Sequence, residues 1–173
     1  RLPVEEMLGD MTRVKSEFTR FLEAGGRVVI QDKSFPTWRT VILGLHKTSE
    51  TYLASIEGRG RKVNKWARDI ASKVVCVQRK IELPLVDVSG AELGFTQVYT
   101  YAQFLERAAT FGLYPCPAEA GLALADQFDD QSSGDYRRIA MEAITVSGGD
   151  LFVFNVGRDE DEPWLGASAG RPD

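Results

Sequence analysis

The densest run of groups able to do chemistry is basic. Between residues 58 and 80, eight cations (Arg59, Arg61, Lys62, Lys65, Arg68, Lys73, Arg79 and Lys80) stand against Asp69 alone, a net charge of +7. Cationic side chains at this density neutralise phosphates, and Gly58-Arg59-Gly60 lets a loop approach a nucleic-acid backbone closely. Arg59, Arg61, Lys62, Lys65 and Arg68 are therefore candidate nucleic-acid contacts. The same spacing describes an amphipathic helix whose solvated face is basic, opposite Val63, Trp66 and Ile70. It also describes a segment that pairs with acidic residues elsewhere in the chain or in another chain.

The matching acidic groups lie at the other end. Residues 126–173 carry eleven acidic against four basic side chains, within a chain whose net charge is −4. Asp129, Asp130 and Asp135, in a polar loop, and Trp164, in the final stretch, are candidate partner-binding residues. Calcium favours such oxygen-rich loops, but Asp159-Glu160-Asp161-Glu162 and the 129–135 loop lack the EF-hand spacing, so solvated acidic loops and no metal are expected. His46 is the only histidine and has no nucleophile signature beside it, so a surface or hydrogen-bonded role is expected. Cys116, between Pro115 and Pro117 at an expected helix start, has either a lowered pKa there or the role of a small buried residue. With Cys76 it makes two cysteines, too few for a disulfide framework or a structural zinc site, although a single Cys76–Cys116 bridge stays open. No residue is singled out as catalytic, and no cofactor is expected.

Hydrophobic residues make up 43% and charged residues 27% of the 173, values of an ordinary globular chain able to bury its own core. No apolar run is long enough to span a membrane, and no secretory signal opens the chain, so a cytoplasmic protein is expected. An opening Arg1 suggests a fragment, a processed chain or further leading residues.

The elements follow from periodicity. Val4, Met7, Leu8, Met11, Val14, Phe18, Phe21 and Leu22 predict a helix over 4–24, stopped by Gly25-Gly26 and followed by a short strand at Arg27–Ile30. A strand is expected over Thr40–Leu45. Thr48-Ser49 caps a helix that Gly58-Arg59-Gly60 breaks, and Val63, Trp66, Ala67 and Ile70 predict a second helix over 61–73. Val74–Val88 reads as β-rich, with Pro84 marking an edge or a bulge. Thr100 and Gln103 form a capping box for a helix over 101–111. Another helix starts near Pro117 and runs to about Phe128. Ile139–Val146 and Leu151–Val156 read as strands joined by a turn at Ser147-Gly148-Gly149-Asp150. The acidic, glycine-bearing tail after Arg158 offers little to pack beyond Trp164 and Leu165.

The order predicts an α+β fold: N-terminal helices, then a mixed, mainly antiparallel sheet with two or three packed helices. It divides into a mainly helical region over 1–73 with a short β element and an α+β domain over 74–173, or forms one continuous unit. Gly58-Arg59-Gly60 does not follow a strand, which argues against a dinucleotide-binding fold.

From Ile81 onward the chain resembles a widespread bacterial family of unknown function from candidate-phylum and environmental genomes. The residues that carry the likeness are Glu82–Val88, Ala91–Phe95, Pro115-Cys116-Pro117-Ala118-Glu119, Arg138–Glu142 and Phe154–Asp159. Gly26–Ile30, Ser34–Trp38 and Lys65–Ile70 look similar too. This resemblance implies a family and no activity. A weaker, architectural likeness is to the C-type-lectin-like fold, in which a helix like that introduced by Gly112–Glu119 precedes strands bearing a Trp such as Trp164. That likeness implies variable loops that bind ligands or proteins, and a further terminal strand, which the chain lacks before Asp173.

Three readings follow. The first is a non-enzymatic binding or interaction module using the loops around Asp129–Asp135 and Asp159–Ala169, with a protein or small ligand as partner. The second is a nucleic-acid-associated protein acting through residues 58–73. The third is an enzyme whose residues match no known signature. Self-association into oligomers is a further expectation.

Overall fold

Strand pairing joins segments that lie far apart in the sequence. The computed structural model describes residues 34–170, which belong to one compact unit, Ser34–Asp173. The helix expected over 4–24 and the strand at Arg27–Ile30 lie outside the described residues. A two-stranded antiparallel sheet joins β1 (Arg39–Leu43) to β3 (Ile81–Leu85), with Arg39 opposite Leu85 and Leu43 opposite Ile81. The second sheet has five strands. It runs in the order β2 (Lys62–Val63), β7 (Glu162–Ala169), β6 (Leu151–Asp159), β4 (Tyr136–Arg138), with β5 (Ile144–Thr145) also on β6. All its pairs are antiparallel except β2 with β7. With the four helices α1 (Ser49–Gly58), α2 (Lys65–Ala71), α3 (Tyr101–Ala109) and α4 (Glu119–Gln127), this is an α+β fold. Both β1–β3 and β2–β7 cross position 73, so the described residues on either side of it share their sheets. No helix among the described residues is long and apolar enough to cross a membrane.

Local chemistry accounts for most boundaries. Thr48 and Thr100 each form a capping box, with Thr51 and Gln103 respectively, which satisfies amide donors that a helix start leaves free. Gly60, at φ 78°, turns the chain out of α1 in a conformation that suits glycine. β3 has one strand neighbour, and Pro84, which has no amide to donate, lies on it as expected of an edge.

Three expectations need correction. The helix over 61–73 starts only at Lys65, because Asn64 caps it by accepting the Ala67 amide while Lys62 and Val63 pair with Trp164 and Leu165. Val63 belongs to the apolar pattern but contributes it as a strand. In the β-rich stretch only Ile81–Leu85 forms a ladder. Val74–Val77 alternates in burial, with Cys76 inside and Val75 90% exposed, and its Val77 amide goes to a side chain instead. The tail after Arg158 is not loose. It forms β7, paired with β6 from Phe152–Ala169 to Asp159–Glu162, so the acidic run is a tight turn with Glu160 at φ 50°. Charge at the turn is solvated there, while Leu165 and Ala167 enter the core. The turn over 147–150 is present, with Val146 N–H donating to Asp150 O at 2.8 Å.

α4 is the centre of the packing. Residues 119–126 are all buried, so the helix shows no polar face. Gly121 lets β6 approach: a Cβ there would lie 2.8 Å from Phe154 Cβ. The two carboxylates of α4 are satisfied from outside the helix. Glu119, 2% exposed, accepts the Gly44 amide at 2.6 Å, the Val77 amide at 2.7 Å and the Tyr52 hydroxyl at 2.9 Å. Asp126, 1% exposed, accepts the Ser55 hydroxyl at 2.6 Å and lies 3.1 Å from His46 Nε2 and 3.8 Å from Arg59 Nε.

Two stability predictions follow from α4. Gly121→Ala gains helix propensity but overpacks Phe154, for a net loss of about 1–2 kcal/mol in urea unfolding. An unchanged or increased midpoint would show that β6 gives way. Glu119→Gln sets an amide donor against at least one of three donors, and its expected cost is about 2–4 kcal/mol. A loss below about 1 kcal/mol would mean that the three segments are held by packing instead.

Candidate functional site

The basic segment is largely paired within the chain. Arg61 is 3% exposed, and its Nη2 donates to the Phe128 carbonyl at the end of α4. Lys62 forms an ion pair with Glu162, Arg68 with Glu57, and Arg59 with Asp126. Lys65 Nζ lies 4.5 Å from the centre of the Trp66 ring. Burial pushes the Arg61 pKa down, with nearby Asp129 and Asp126 opposing that shift. Arg61 is thus not on a solvated helical face with Lys65 and Arg68: it precedes β2, and its side chain runs inward.

The acidic candidates are engaged too. Asp130 takes both of its 2.7 Å contacts from Arg39 Nη2, and this bond holds its carboxyl below the usual range. The Asp129 carbonyl accepts from Arg158. Asp135 pairs with Arg137, whose Nε reaches Asp87 at 2.7 Å. Arg39, Arg61 and Arg158 therefore pin the chain over Phe128–Asp130, where sequence alone reads a helix end at Phe128 and a flexible polar loop from Asp129.

Trp164, a candidate partner-binding residue, lines a cavity together with Arg61 and Lys62 of the basic segment. It stands opposite Gly157 across the β6–β7 ladder, and Gly166 follows it by two residues on the same sheet face. A Cβ at Gly157 would lie 2.3 Å from Trp164 Cζ2, and one at Gly166 would lie 3.1 Å from Cζ3, so the indole covers both glycines. The cavity beside it has a volume of about 750 Å³ and is lined by Glu57, Arg61, Lys62, Asn64, Asn155, Asp159 and Trp164, with Val63, Leu165 and Gly166. Asn64 spends its Oδ1 on the α2 cap, and its Nδ2 would lie 3.2 Å from a Gly166 Cβ. Three residues of the lining each hold a polar atom that is buried away from the cavity and has no hydrogen-bond partner among the described residues: Arg61 Nη1, Asn155 Oδ1 and Trp164 Nε1.

Sequence reasoning found Arg61, Lys62 and Trp164 but assigned them to separate sites. It missed Glu57, Asn64, Asn155 and Asp159. A usable signal was present: Gly157, Trp164 and Gly166 flank an acidic two-residue turn so that one ring covers both glycines. His46 is hydrogen-bonded, as expected, but to a buried aspartate rather than at a plain surface.

Of the two readings of Cys116, the packed residue is the one that fits. Both cysteines are free, and burial pushes the Cys116 thiol up instead of a helix terminus lowering it. The Cys76 thiol is pushed up to about 11, chiefly by burial and then by Glu119. Both thiols stay protonated near neutrality. Alkylation by iodoacetamide at pH 7.5 is therefore expected to run at least about tenfold slower than for glutathione and to accelerate as pH rises. A Cys116 rate matching or exceeding glutathione would restore the activated-thiol reading.

No family model, no curated protein and no solved structure matches this chain.

Proposed function

We propose that the chain is a non-enzymatic binding module whose ligand cavity lies beside the β6–β7 hairpin, over Trp164. The observation that carries this reading is one cavity of about 750 Å³ that sets the Trp164 indole beside Glu57, Arg61, Lys62, Asn64, Asn155 and Asp159. A concave site that combines an aromatic wall with a few polar side chains is the usual form of a small-ligand site. An indole supported by two glycines supplies a rigid apolar wall, which costs little entropy to use.

Two further readings have less support. Nucleic-acid binding through Arg59, Arg61, Lys62, Lys65 and Arg68 loses force where three of these pair with carboxylates and Arg61 is buried. An enzyme built on His46, Asp126 and Ser55 would need Ser55 activated by a base, whereas its hydroxyl donates to Asp126.

A thermal-shift screen of polar small molecules tests the proposal. Compounds that raise the midpoint of the native protein and have no effect on Trp164→Ala are expected, because a saturating ligand adds about 2.7 kcal/mol at a hundred times its Kd. A screen without hits, beside salt-sensitive nucleic-acid binding that is lost in Arg59→Glu/Lys65→Glu, would replace this reading with the nucleic-acid one.

A further inference from the structure

A second cavity, of about 700 Å³, shares no lining residue with the one over Trp164. Residues 87–92, α3 and β4 form it, and four aromatic rings line it: Tyr99, Tyr101, Phe104 and Tyr136. Tyr101 and Phe104 are three residues apart on α3 and share a helix face. Two of the rings are fixed by their surroundings. The Tyr101 hydroxyl donates to the Met141 carbonyl at 2.7 Å and accepts the Met141 amide at 2.9 Å. The Tyr99 ring lies against Gly90, where a Cβ would come within 2.4 Å of it. It also stacks on Phe95 and Phe104, with centroids 4.3 and 5.9 Å away. Walls held in this way cost little ordering when a ligand enters. Tyr99 and Tyr136 are 39% and 57% exposed, so the cavity gives access to both rings.

The charges of the lining differ in what they have left to do. Asp87, Glu92, Arg137 and Arg138 together carry no net charge. Arg137 Nε reaches Asp87 at 2.7 Å, and its Nη1 pairs with Asp135. Glu92 accepts the Ser89 amide at 2.8 Å and the Ser89 hydroxyl at 2.7 Å. Arg138 has no ion-pair partner among the described residues, and its guanidinium donates to the neutral Ser168 hydroxyl at 3.2 Å. It is exposed and shares a face of β4 with Tyr136, two residues before it. A ligand that fills the cavity takes solvent from this cation, and a negative group restores what is lost. One negative charge is enough. A second would face Asp87 and Glu92 with no cation left to balance it.

We propose that this cavity is a further binding site, for an aromatic monocarboxylic acid. The carboxylate accepts from the Arg138 fork, whose planar donors match it. The ring of the ligand packs among Tyr99, Phe104 and Tyr136, offset or edge to face. The site does not depend on the cavity over Trp164.

Calorimetry with benzoate, phenylacetate and naphthoate tests this, beside the matching amides and saturated-ring acids. At least one of these acids is expected to bind, with its amide weaker by about tenfold or more and its saturated-ring acid by about threefold or more. Arg138→Gln and Tyr136→Leu change exposed side chains, where folding is safe. Arg138→Gln is expected to bring the affinity of the acid down to that of its amide. Tyr136→Leu is expected to narrow the gap between the aromatic and the saturated acid. An amide or a saturated acid that binds as tightly as its aromatic parent overturns the proposal, as does native affinity in Arg138→Gln. Binding that is lost in Trp164→Ala and kept in Arg138→Gln puts the acid over Trp164, so this proposal falls and the reading of that cavity stands. If none of these acids binds at millimolar concentration, the proposal falls, whatever the thermal-shift screen shows for Trp164.

Discussion

A buried carboxylate, with no ion-pair partner among the described residues, fixes where the surrounding segments lie. Glu119 sits at the start of α4 and is satisfied by two backbone amides and a phenol. Each donor belongs to a different segment: the end of β1, the 74–80 connection and α1. Bonds to an ionised acceptor are about twice as strong as neutral ones, and losing a donor here would strand a buried charge. Gly44 shows how tightly the arrangement is drawn. It adopts φ 66° to present its amide, and a Cβ on it would lie 2.1 Å from the Arg79 carbonyl oxygen. Tyr52 is held in its protonated form, first by burial and then by Glu119. Further along α4, Asp126 takes Ser55, and the Gln127 side chain bonds both the amide and the carbonyl of Ile42 at 2.8 Å. One helix therefore fastens the small sheet and α1 through side chains, while its apolar residues pack on the large sheet.

That constraint explains what the sequence reveals and what it hides. Helix starts depend on side chains within three residues, so the N-cap at Thr48 and the capping box at Thr100 are legible, as is the local turn over 147–150. The fold class follows from the same local signals. A fully buried helix has no amphipathic period, and nothing in the spacing of Glu119 and Asp126 distinguishes interior carboxylates from solvated ones. The extended stretch at Val74–Val77 has strand composition but gives an amide to Glu119 instead of to a ladder. β7 is hidden for another reason: Gly166, where the indole lies close, and Ala167, Ser168 and Ala169 are small, and small residues read as loop.

The charge asymmetry of the chain is partly spent on registry. Lys62 reaches Glu162 across the β2–β7 pair, and Arg59 reaches Asp126 at the end of α4. An exposed ion pair contributes about 0–1 kcal/mol, so Lys62–Glu162 does little for global stability. Its effect is local, setting a two-residue parallel strand against β7 where the ladder alone is short. Arg61, carried inward by that register, ends beneath the cavity wall and not among the surface cations.

The cavity is then a product of missing side chains. Any residue larger than glycine at Gly157 would displace the Trp164 ring, and Gly166 has little more room. With both positions bare, the indole lies against the sheet, its N–H left without a protein acceptor. Asn155 is paired with Gly166 in the ladder, so its side chain also meets no neighbour at the opposite position. The same two glycines that seat the ring therefore leave a donor and an acceptor unpaired beside it. A sheet face built only for stability would fill those positions with β-branched or aromatic residues that pair across the strands. Keeping them bare sacrifices that packing, and the return is an indole held flat against the sheet as a rigid wall.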